Sequence, residues 1–79
     1  MAAKSEKLLQ RMRRSKANWK SRDLSDMLLG HGFQLRHGGN HDVFTHPELP
    51  GEQLALPRHR TVMKVYITKA IKFIDKLDG

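Results

Sequence analysis

Seventy-nine residues without a cysteine make one small domain with no disulfide to staple it, and a chain this short buries only about 60% of the surface its unfolded form exposes. Functional sites are therefore expected to be shallow, and thiolate metal sites and cysteine nucleophiles are excluded; a reducing, cytoplasmic setting fits best. The formal charge of +7 points toward nucleic acid or another acidic partner, yet it is unevenly placed: Lys4, Lys7, Arg11, Arg13, Arg14, Lys16 and Lys20 face only Glu6 within residues 1–20, and the rest of the chain is close to neutral. No stretch reaches the roughly 18 apolar residues of a membrane span, and the first ten residues lack the apolar run of a secretory leader, so a soluble protein with no membrane partner is expected.

In chain order, residues 1–20 read as a basic N-terminal helical arm and residues 21–79 as the domain proper. Leu8, Leu9 and Met12 recur at helical spacing between Ser5 and about Ser15, with Ser5 available as a cap. That stripe is narrow, which predicts a solvated extension that docks weakly or frays. Ser21 is placed to cap a second helix, with Asp23 at its positive end and Leu24, Met27 and Leu28 on one face. Gly30 and Gly32 are expected to supply the left-handed positions that end it, and Trp19 to pack back over its first turn.

Residues 33–37 alternate apolar and polar as a half-buried strand requires, and Gly38, Gly39 and Asn40 read as a tight turn. The return strand runs His41 to Thr45. A looser turn through Pro50 and Gly51 leads to a third strand from Gln53 to Leu56, halted by Pro57, which has no amide for the ladder. A last helix, beginning between Thr61 and Val65 and ending at Leu77, puts Met63, Tyr66, Ile67, Ala70, Ile71, Phe73, Ile74 and Leu77 on one arc and Lys64, Lys69, Lys72 and Lys76 on the other. Helix, three antiparallel strands and helix give an α+β two-layer sandwich, α-β-β-β-α, with one sheet face covered and the other open.

Five histidines (His31, His37, His41, His46 and His59) make imidazole chemistry the first candidate, since that side chain moves protons near neutral pH. His37 and His41 flank one turn, but no HExxH helix or suitably spaced carboxylate accompanies them, and no cofactor or metal is expected. The chain has no G-x-S-x-G elbow and no phosphate-cradling G-x-x-x-x-G-K. A metal-free reaction run by histidine is what remains. His31, at a helix end, and His46, beside Pro47, read as structural.

Gly32-Phe33, then Gly39-Asn40-His41-Asp42-Val43-Phe44, then His46-Pro47, then Leu56-Pro57-Arg58-His59, followed by a helix to Leu77, form an ordered set over about residues 21–77. In order and spacing this set resembles the HicA family of toxins, messenger-RNA interferases of HicA/HicB-type toxin–antitoxin systems. The resemblance implies a fold like the double-stranded-RNA-binding domain and a metal-independent endoribonuclease that cuts mRNA. The family's required histidine follows Gly-Ser, so that role carries over to His41, with Asn40 standing where the family has serine. An antitoxin of the HicB kind is the implied protein partner.

If Phe44 faces the helices, the period of two puts His41 and Val43 on the open face, where a neutral imidazole can take the proton of a ribose 2′-hydroxyl. The phosphorane charge and the leaving oxygen need further groups, for which His37, Asn40, Arg58, His59, Arg60 and Lys64 are the candidates. The alternative is a non-catalytic RNA-binding module that reads shape with the same fold. A third possibility is a pure protein-interaction subunit using the arm and the open sheet.

Overall fold

The computed structural model describes residues 3–57 and 60–78. Its first helix, α1 (Ala3–Arg14), is not the solvated extension that its narrow stripe suggested. Leu8, Leu9 and Met12 are buried in the same apolar cluster as the rest of the chain, Met12 completely. Burying a methionine of this kind contributes about 1.5–3 kcal/mol, enough to hold a short helix that would be marginal alone. Arg13 pairs with Asp75 of the last helix, and the Arg11 guanidinium lies 5.2 Å from the Trp19 ring, so part of the arm's charge fastens it to the fold.

Asn18 takes a positive φ of 64°, a conformation asparagine tolerates, and turns the chain into β1 (Trp19–Lys20). The Trp19 indole donates to the Ser15 carbonyl at 2.7 Å and so packs back toward the end of α1 as well. Helix α2 (Ser21–Gly30) starts one residue earlier than expected, with Lys20 at the cap position. The Ser21 amide is already occupied by the Arg60 carbonyl at 3.0 Å, and the Asp23 carboxylate accepts from the Lys20 amide at 3.4 Å. At the other end Gly32 has φ 92°, while the amides of Phe33 and Gly32 reach back to the carbonyls of Leu28 and Leu29 at 3.1 and 3.2 Å. That is a Schellman ending, and it needs only Gly32 in the left-handed region. Gly30 is helical; its lack of a side chain instead makes room for Ser5 of α1.

Strands β2 (Gln34–Gly38), β3 (His41–Thr45) and β4 (Gln53–Pro57) form an antiparallel sheet in the order β2-β3-β4. Gly38 pairs with His41, so the turn is a two-residue loop, Gly39-Asn40, with φ +57° at Gly39 alone. A left-handed glycine at the first loop position is the type II′ pattern, whose twist suits the flanking strands. The register then sets Leu35 opposite Phe44 and Phe44 opposite Leu54, and Phe44 and Leu54 are buried against the helices.

A second, two-stranded ribbon was not foreseen: β5 (Thr61–Val62) pairs with β1 through Trp19 opposite Val62 and Lys20 opposite Thr61. Helix α3 (Lys64–Asp78) buries Ile67, Ala70, Ile71, Phe73 and Ile74 as its periodicity predicts. Met63 is 68% exposed because it precedes the helix and does not share its arc. The result is an α+β fold of three helices and antiparallel sheets, compatible with an α-β-β-β-α order. Among the described residues no helix is long and apolar enough to cross a membrane.

Candidate nucleic-acid interface

His41 opens β3 immediately after the turn, and its cross-strand partners are Gly38 on one side and Pro57 on the other. Neither neighbour offers a long side chain, so the imidazole is exposed. Alternation along β3 places Asp42 and Phe44 toward the helices and His41, Val43 and Thr45 on the opposite face, which no helix among the described residues covers. Arg36 pairs with Val43 and shares that face. It is the diagonal neighbour of His41, with the Cβ atoms of such pairs about 7–8 Å apart, a span a guanidinium can bridge.

His37 does not join them. The register pairs it with Asp42, on the other face from His41, and its Nδ1 donates to the Asp42 carboxylate at 2.8 Å. Asn40 is exposed in the turn, and Lys64 is exposed at the start of α3. Arg58 and His59 lie outside the described residues.

Arg60 belongs to a separate feature. The β1–β5 pairing and the Ser21–Arg60 backbone bond bring it beside the start of α2, where Lys20, Arg22 and Arg60 border a hollow of about 640 Å³. Ser21 and Ser25, one helical turn apart, line its helix side, and Asp42, Phe44, Leu56 and Pro57 line its sheet side. This hollow lies on the helix-facing side of the sheet, so the basic groups expected from the sequence divide between two faces joined at the Pro57 end.

The remaining histidines hold structural contacts. His31 Nδ1 donates to the Met27 carbonyl at 2.8 Å, with Glu6 of α1 at 3.5 Å from Nε2. The His46 ring stands edge-on to Phe33 with centroids 5.0 Å apart, and its Nδ1 accepts from the Glu48 amide at 3.1 Å. Among the described residues no three His, Asp or Glu side chains converge.

Arg36, Lys20, Arg22, Ser21, Ser25 and Asp42 are candidate residues that the sequence alone did not single out. For Arg36 and Asp42 the hairpin signal was present but its register was not, because the turn is Gly39-Asn40 and not the triplet from Gly38, and one residue in the turn changes every cross-strand partner. For the α2 residues it was absent, since their approach to Arg60 depends on the short β1–β5 ribbon. In comparisons with protein-family models, curated proteins and solved structures, nothing matches this chain.

Proposed function

We propose that the protein is a metal-independent endoribonuclease of the HicA kind, the toxin of a type II toxin–antitoxin pair, built on a sandwich like the double-stranded-RNA-binding domain. The observation that carries this reading is His41, exposed at the head of β3 on the uncovered face of the sheet, with Arg36 on the same face.

RNA lying on that face brings its ribose and phosphate within reach of both groups. Unprotonated imidazole of His41 takes the 2′-hydroxyl proton, and the freed oxygen attacks the adjacent phosphorus. The bond from phosphorus to the 5′-oxygen breaks, and that oxygen takes a proton from water on this open surface. Negative charge grows on the phosphoryl oxygens as the new bond forms, and the positive charge of the Arg36 guanidinium opposes it. The products are a 2′,3′-cyclic phosphate and a 5′-hydroxyl, and a strand of deoxyribose is inert because it lacks the attacking oxygen. A HicB-type antitoxin restrains the enzyme by covering the same face.

Purified His41→Ala protein should cleave an mRNA fragment about 10²–10⁴-fold more slowly than the parent, the usual worth of a general base. Mass analysis of the parent's products should show the cyclic phosphate. Unchanged cleavage by His41→Ala, or a plain 3′-hydroxyl end, rejects the mechanism. RNA binding with no cleavage by the parent would favour the shape-reading module instead.

A further inference from the structure

The hollow at the start of α2 gathers three cations, Lys20, Arg22 and Arg60, around one concave surface. Three cations elsewhere find carboxylates: Lys4 with Asp26, Arg13 with Asp75, and Lys76 with Glu52. Among the described residues, the side chains of Lys20, Arg22 and Arg60 have no such partner, although all three border one cavity. Like charges gathered around a concave surface reinforce one another's field and raise the local concentration of anions.

The remaining lining narrows the class of anion. Asp42 and the hydroxyls of Ser21 and Ser25 share the hollow with the cations. The Asp42 carboxylate, which accepts from His37 Nδ1 at 2.8 Å, offers the acidic side chains of a peptide no donor. A ribonucleotide unit suits this lining, since its phosphate accepts from the cations and the serine hydroxyls.

Position links the hollow to the imidazole. Pro57 lines the hollow and is also the cross-strand partner of His41, so the two sites lie on opposite faces of the same sheet end. We infer that the hollow holds a backbone phosphate of the RNA strand beyond the one cleaved at His41, the strand passing around the Pro57 end of β3 and β4. The identity of the ligand rests on the ribonuclease reading; the anion site itself does not.

The test measures binding without cleavage. In the His41→Ala protein, a labelled single-stranded oligouridylate is titrated over a salt series, with Arg22→Gln/Arg60→Gln added in one variant and Lys69→Gln/Lys72→Gln in another. Both doubles remove the same charge, but Lys69 and Lys72 lie on the exposed face of α3. The hollow variant should bind roughly tenfold more weakly at physiological salt, and its plot of log affinity against log salt should flatten by about 1.4, at about 0.7 per lost phosphate contact on a single strand. Lys20→Gln should flatten it by about half as much, from a third position around the cavity.

Equal flattening in the two doubles overturns the inference, because only overall charge would then matter. So does displacement of the RNA by polyglutamate whose own binding collapses in the hollow variant, which would assign the hollow to an acidic protein segment. Cleavage by the parent is scored separately. Groove-specific binding without cleavage sinks the nuclease reading and leaves the anion site standing, whereas cleavage with no groove effect does the reverse.

Discussion

The seam between α1 and α2 makes the sharpest stability prediction. A Cβ built on Gly30 falls 2.5 Å from both Cβ and Oγ of Ser5 and 3.8 Å from its Cα. Rotating the serine moves Oγ but leaves Cβ in place, so Gly30→Ala forces the helices apart. Overpacking of this kind costs about 1–3 kcal/mol. Against it stands the helical preference of alanine over glycine, at most about 1 kcal/mol and less at a helix end. Gly30 has no positive φ, so backbone strain does not enter. The net expectation is destabilisation by about 0.5–2 kcal/mol, or roughly 2–16 °C in Tm at 4–8 °C per kcal/mol for a domain of this size.

A double-mutant cycle turns that estimate into a change of sign. With Ser5→Gly in place, the nearest Ser5 atom to the new methyl is the Cα at 3.8 Å, an ordinary contact. Gly30→Ala should then be neutral or stabilising by up to about 1 kcal/mol, which gives a coupling of order 1–3 kcal/mol. With Ser5→Ala, which keeps Cβ and loses only Oγ, Gly30→Ala should remain destabilising. Urea unfolding followed by far-UV circular dichroism reads all six proteins. A stabilising Gly30→Ala in the parent, or the same penalty in the Ser5→Gly background, would show that α1 does not pack where it is described.

Met12→Ala should lower stability by about 2–5 kcal/mol, as for a fully buried methionine, whereas a solvated arm would give less than about 0.5 kcal/mol; the urea midpoint separates the two. The Arg13 guanidinium, by hydrogen bonding to Asp75 and by its charge, holds that carboxyl below its ordinary 3.8. A depressed folded-state pKa contributes stability that is complete above the unfolded value and lost as pH falls through the folded one. The stability difference between the parent and Asp75→Asn should therefore be constant above about pH 5 and shrink on acidification below 3.8. A difference that grows with acid would contradict the pairing.

The elements most legible in the sequence are those whose pattern is local. The apolar arc from Ile67 to Ile74 carries its own period, and Gly38, Gly39 and Asn40 announce a hairpin, although the turn itself is only Gly39 and Asn40, with Gly38 paired to His41 in the strand. From that register the exposure of His41 and its separation from Asp42 follow by alternation. What stayed hidden depends on contacts between distant segments. The two-residue strands β1 and β5 are too short to show a period, and Trp19 meets Val62 only through the folded chain. Three apolar residues in α1 do not reveal whether a surface awaits them, and Gly30, which looks like a helix stop, is a packing notch filled by Ser5. The basic hollow was invisible for the same reason, because Arg60 reaches α2 through that short ribbon.

Stability and the proposed chemistry fall on different atoms of the same strand. Along β3 the inward residue Phe44 is 1% exposed and fills the core, while His41, out of phase with it, is exposed and has Gly38 and Pro57 as cross-strand partners. A one-residue slip would exchange these roles, and the two-residue turn at Gly39-Asn40 prevents it. Because the imidazole is exposed, water solvates it in the folded and unfolded states alike, so its removal changes little that folding depends on. Substitutions at such sites usually stay within about 0.5 kcal/mol. Loss of RNA cleavage in His41→Ala therefore reports on the proton transfer itself, whereas loss in a Phe44 variant would report only that the sheet had lost its core.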